Sequence, residues 1–77
     1  MAENKEKIIK EIEKSESEKI VISVREWREN VLLDIRTFYK NQTGNFCPTR
    51  KGISISADWY DDLKQGVLDI EKVLETF

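Results

Sequence analysis

Through residues 20–56, IVISVREWRENVLLDIRTFYKNQTGNFCPTRKGISIS, apolar and polar side chains alternate with period two, as strands with one covered face do. Residues 19–27 predict one strand, with Ile20, Ile22 and Val24 on the face expected to be core and Val21, Ser23, Arg25 and Trp27 on the other. Arg28-Glu29-Asn30 reads as a short connection. Residues 31–40 predict the next strand, with Val31, Leu33 and Ile35 opposed to Leu32, Asp34, Arg36 and Phe38. Tyr39 has the opposite parity to Arg36, so both meet one ligand only if the strand bends or bulges near its end. Residues 41–45 form a loop in which Gly44 takes a positive φ. Pro48 cannot donate to a ladder, which places the following strand at about 50–55. Gly52 within it permits close approach by another backbone or a ligand.

After Ser56 the period changes. Ser56 is a helix N-cap, and Trp59, Leu63, Val67, Ile70, Val73, Leu74 and Phe77 recur at spacings of three and four. They predict an amphipathic helix of roughly 20 residues, about 30 Å long. Upstream, residues 8–14 fit either state: Ile8, Ile9 and Ile12 share one side of a helical turn, while Ile8 and Ile12 share a strand face. Residues 1–7 are expected to be frayed, and residues 8–77 to form a single domain. The order is α+β: a run of strands, then one helix covering one sheet face. The other face is left for a subunit or a ligand.

Composition narrows what holds this domain together. A chain of 77 residues makes a small core and usually leans on disulfides, a metal or a second subunit. Cys47 is the sole cysteine and histidine is absent, which excludes an internal disulfide and a tetrahedral zinc site. A homodimer is therefore expected, without metal or cofactor. No histidine base, Gly-rich phosphate loop or metal cluster supports catalysis, and the chain is expected not to be an enzyme. No apolar run approaches the ~20 residues of a membrane span. The charged start MAENKEKIIKEIEK is no signal-peptide core, so an intracellular protein is expected, cytoplasmic or nucleoid-associated, or nuclear in a eukaryote.

The net charge of −2 is unevenly spread. Residues 20–56 carry six basic and three acidic side chains, whereas residues 57–77 carry two basic and six acidic ones. Salt screens charges beyond ~10 Å, so the central segment can present an electropositive face on an acidic protein. Its cations Arg25, Arg28, Arg36, Lys40, Arg50 and Lys51 are interleaved with the rings of Trp27, Phe38, Tyr39 and Phe46. Rings interleaved with cations suit an unpaired nucleic-acid strand, whose bases stack while its phosphates meet charge. Asp34 would repel phosphate there, and is expected to orient Arg25 or Arg36 instead.

Ser23-Val24-Arg25, Val31-Leu32-Leu33-Asp34-Ile35-Arg36 and Arg50-Lys51-Gly52-Ile53-Ser54 occur in one order over some thirty residues. With these words the chain resembles, over about residues 8–77, the C-terminal domain of the transcriptional positive cofactor four family, single-stranded-DNA-binding coactivators. The resemblance implies a curved four-stranded antiparallel sheet plus a C-terminal helix, and favours a strand at 8–14. It also implies a dimer formed largely through the helices, with Trp59, Leu63, Val67, Ile70, Val73 and Leu74 at the interface and two antiparallel grooves able to hold a melted duplex. By carry-over Arg25, Arg28, Arg36, Arg50 and Lys51, beside Gly52, meet the DNA backbone, and Trp27 and Tyr39 stack bases. Asn30 stands in the same loop where the family is often basic, and Cys47 where lysine is common, so binding weaker than in more basic members is implied.

The function expected is a dimeric, largely sequence-independent single-stranded DNA-binding protein of transcription, replication or repair. Two alternatives use the same chain: a dimeric protein-interaction module of the transcription machinery, or a single-stranded RNA binder.

Overall fold

β-Branched and aromatic residues at alternate positions fit a pleated surface. In the computed structural model, which describes residues 5–77, they form four strands. β1 (Lys5–Glu13), β2 (Glu18–Trp27), β3 (Asn30–Lys40) and β4 (Phe46–Ser56) lie in that order, each antiparallel to its neighbour. A 3-10 turn, Ala57–Trp59, leads into the helix α1 (Tyr60–Leu74). Ser56 caps that turn, its Oγ accepting from the Asp58 N–H at 3.1 Å.

The ambiguous N-terminal segment is a strand. The helix propensity of its Glu and Lys residues yields to pairing with β2, which begins at Lys5 opposite Glu26. Order therefore starts earlier than the frayed end expected over residues 1–7, and residues 1–4 lie outside the described residues. The register slips between Ile8 and Lys10, so Ile8 lies across from Ser23 and Ile12 across from Ile20. This bulge puts Ile8 and Ile12 on opposite faces, not on the shared face that strict alternation predicts. β4 likewise begins at Phe46, ahead of the expected start near residue 50, and tolerates Pro48 because it is an outer strand.

One sheet face carries Val21, Ser23, Arg25, Leu32, Asp34, Arg36 and Ser54; the other carries Ile20, Ile22, Val24, Leu33, Ile35, Ile53 and Ile55. The second, apolar face was expected to be core. Among the described residues of the lone chain, those buried are instead Val21, Ser23 and Asp34, at 3%, 2% and 6% exposure, on the polar face. Val21 lies across from Arg36 and Glu11, and Ser23 from Asp34 and Ile8, so longer neighbours roof them over. The apolar face has no such roof, and Ile53 is 52% exposed.

Nor does α1 cover it, as the pattern led one to expect. No residue of α1 is buried, and of its stripe only Leu63 is half-buried while Val67, Ile70, Val73 and Leu74 are exposed. The described chain measures 43 × 35 × 18 Å, in effect a single layer, where a stable domain ordinarily packs two.

β2 and β3 are joined by Arg28 and Glu29 alone, both at positive φ (52° and 70°) between the paired Trp27 and Asn30. This is a two-residue type I′ hairpin, whose twist matches the strands, made with residues that dislike it. Asn30 thus opens β3 and is not part of the connection. Glu29→Gly is expected to stabilise the fold by about 0.5–1 kcal/mol by removing left-handed strain. A urea midpoint unmoved or lowered would show that the turn is not strained.

Candidate nucleic-acid interface

Cross-strand register brings Ser23, Asp34 and Ser54 into one row across the middle of the polar face. Arg36, two residues along β3 from Asp34, folds back on it. Nε donates to Oδ2 at 3.0 Å and Nη2 to Oδ1 at 2.8 Å, while Nη1 donates to the Thr49 carbonyl at 3.0 Å. Ser54 Oγ donates to Asp34 Oδ1 at 2.8 Å. Arg25 Nη2 reaches the same group, 3.4 Å from Ser54 Oγ and 3.9 Å from Asp34 Oδ1. The acid on this face is therefore an organiser of both arginines, in a fork that fits guanidinium to carboxylate. Three of the five guanidinium N–H groups of Arg36 are used, and two remain for a ligand.

The hydrogen bond from Arg36 holds the Asp34 carboxyl below its ordinary range, against the opposing effect of burial, and Asp34 pushes Arg36 up in return. A depressed acid stabilises the fold above its unfolded pKa of about 3.9 and loses that contribution as pH falls through the folded value. Asp34→Asn, which leaves Arg36 facing a neutral partner, is expected to cost about 2–3 kcal/mol at pH 7. In urea unfolding the gap from wild type should narrow at pH 3. A gap equally wide at both pH values would refute the ion-pair account.

At the hairpin end of the face Trp27 is 47% exposed, with the Arg28 guanidinium 4.5 Å from the centre of its ring. Such stacking contributes about 0.5–1 kcal/mol at an exposed site and leaves the rest of the indole for another flat group. A hollow of about 420 Å³ beside it is lined by Lys5, Glu6, Arg25, Glu26, Trp27 and Leu32. Asn30, across from Trp27, closes the row.

The other residues singled out from sequence lie elsewhere. β3 pairs with β2 without a break through Tyr39, which lies across from Glu18 and keeps the parity opposite to Arg36. Tyr39 is exposed above the 41–45 loop. Lys51 lines a hollow with Ile20, Ile35 and Ile53 that reaches Arg36 and Gly52, at the margin between the faces. Gly52 serves the close approach of β3: a Cβ there would stand 2.5 Å from the Ile35 carbonyl oxygen.

One cluster went unseen. Phe46 lies across from Lys40, with Lys19 Nζ 4.3 Å and Lys40 Nζ 5.5 Å from its ring centre. Lys19 also meets Glu11 at 2.9 Å, and Glu13, Glu16 and Glu18 line the same hollow. This end of the sheet is acidic in balance, four carboxylates to two lysines around the hollow, whereas the hollow beside Trp27 has two side chains of each sign. The alternation of Lys40 and Phe46 with the other cations and rings was visible; their juxtaposition depends on how the loop closes.

Comparison with known proteins reaches the same stretch. The family described as transcriptional coactivator p15 (PC4) matches residues 14–66. The chain belongs to the PC4 family. Among curated PC4 relatives, it is 43% identical over 53 residues to the RNA polymerase II transcriptional coactivator KIWI of Arabidopsis thaliana, covering 69% of this chain and 49% of that one. Over 54 residues it is 41% identical to the coactivator SUB1 of Saccharomyces cerevisiae, covering 69% of this chain and 18% of that one. The chain thus spans half or less of these relatives. Among solved structures it is similar to BPSL1147, a PC4 homolog from Burkholderia pseudomallei, with a TM-score of 0.76 and 34% identity over 92% of this chain and 96% of that one. It also shares its fold with the bacteriophage T5 homolog of PC4, with a TM-score of 0.77 and 22% identity over 91% and 81% of the two chains. Among the described residues no helix is long and apolar enough to cross a membrane.

Proposed function

We propose that this PC4-family chain is a dimeric single-stranded DNA-binding protein with little sequence preference, acting in transcription, replication or repair inside the cell. The observation that carries this reading is the pair Arg25 and Trp27 lining one hollow, with Arg28 stacked on the Trp27 ring, next to the Arg36–Asp34 fork. Bases stack on the open part of Trp27 while Arg25, Arg28 and the spare N–H groups of Arg36 meet phosphates. Arg50 and Lys51 extend the charge along the β4 edge, whereas Tyr39, on the opposite face of β3, is left out of this stacking path. No step of this mechanism needs a metal or cofactor, and the likeness to coactivators makes transcription proteins the natural partners.

The apolar sheet face is half-buried and the stripe of α1 largely exposed in the lone chain, and a second copy can cover both. Two copies also double the DNA site, which suits the two strands of a melted duplex.

Fluorescence titration with a thymine oligomer of about twenty nucleotides tests the reading. Trp27 emission should be quenched, and Trp27→Ala should weaken binding by about 5- to 150-fold, the equivalent of one stacked base. Affinity should fall with salt at a log–log slope of about −0.7 per phosphate held. Absence of binding at low salt would refute the assignment, and tighter binding of a matched RNA oligomer would reassign the ligand.

A further inference from the structure

Between Pro48 and Gly52 the β4 register slips: Thr49, Arg50 and Lys51 together stand opposite the single β3 residue Thr37. Extra residues leave a ladder locally unpaired, and a loose stretch would let the two cations on it wander. Here the slack is taken up at one residue. Thr49 Oγ1 donates to the Thr37 carbonyl at 2.8 Å and accepts from the Lys51 N–H at 3.1 Å. The Thr49 carbonyl accepts from Arg36 Nη1 at 3.0 Å. One hydroxyl thus ties the bulge to β3 and to its own next-but-one amide, and the Asp34-held arginine clamps it from the polar face.

We propose that Thr49 is a positioning residue for the DNA site: its hydroxyl fixes the bulge so that Arg50 and Lys51 are held ready for phosphates, without itself touching the nucleic acid. The role rests on the single-stranded DNA reading above. Threonine suits it because a hydroxyl both donates and accepts, whereas valine, of the same shape, does neither.

Thr49→Val separates this role from plain stability. The variant should bind the thymine oligomer several-fold more weakly at low salt, and its log–log salt slope should shrink by about 0.7–1.4, one or two phosphates' worth. Thr49→Ser, which keeps the hydroxyl, should restore both. Amide exchange reports on the tie without DNA: Lys51 should be protected at least about tenfold in the wild type and lose that protection in Thr49→Val. An unprotected wild-type Lys51 amide would overturn the proposal even if the valine variant failed to fold. So would a Thr49→Val protein that is less stable yet keeps the wild-type salt slope. Wild-type protein that does not bind the oligomer would remove the DNA reading itself, a failure distinct from binding with an unchanged variant slope.

Discussion

With the proposed pairing through α1, a chain carrying Val67→Asp and Ile70→Asp is expected to be monomeric and to lose its fold. Both side chains are more than half exposed on α1, and among the described residues the only buried apolar one is Val21. If a second copy covers the stripe, burying the exposed half of each side chain contributes about 0.8–1.6 kcal/mol in each protomer, or about 3–6 kcal/mol per dimer. That reaches the lower end of the whole stability of a small protein, about 5–15 kcal/mol. Solution mass and circular dichroism should report a monomer with little cooperative unfolding. A variant that sediments like the wild type and melts at the same temperature would rule out α1 as the seam between copies.

Gly52→Val should be nearly as damaging, by a local route. A Cβ at this position would stand 2.5 Å from the Ile35 carbonyl oxygen, 2.7 Å from Arg36 Cα and 2.9 Å from Arg36 Cβ. The first two are backbone atoms of the neighbouring strand, which cannot swing aside as a flexible side chain would. The β3–β4 ladder must part at Arg36, at a cost of about 3 kcal/mol or more, and the Asp34 fork is displaced with it. Urea unfolding and oligomer binding should both suffer. A Gly52→Val protein as stable as the parent would mean that the strands already have room there.

How far these features could be foreseen varies with what causes them. The strands of the central segment follow from alternation, since one residue in two must leave water whatever its neighbours do. The partnership of Asp34 with Arg36 was also legible, because two residues along a strand share a face and an acid among phosphate-seeking cations needs a purpose. Bulges were not legible. The slip at Ile9 separates Ile8 from Ile12, and the slack at 49–51 lies in β4, so β3 never turns to bring Tyr39 round to Arg36. Nothing in the residue types at those positions marks a slip; it is set by how neighbouring strands fit. The same holds for Thr49, whose hydroxyl acquires its role only when Thr37 and Lys51 come within reach. The core was misplaced for another reason. Ile20, Ile22 and Val24 have the right chemistry, but burial needs a cover, and the lone chain does not supply one.

The outermost strand has a consequence of its own. β1 forms the rim of the sheet and displays Ile8, Ile9 and Ile12, each about half exposed, a sequence suited to recruiting further strands into a fibril. Lys5, Lys7 and Lys10 and the kink at Ile9 are the gatekeepers against that, since cations and a broken ladder discourage edge-to-edge growth. Deleting Ile9 would close the kink and leave a straighter rim, readier to pair with the same strand of another copy.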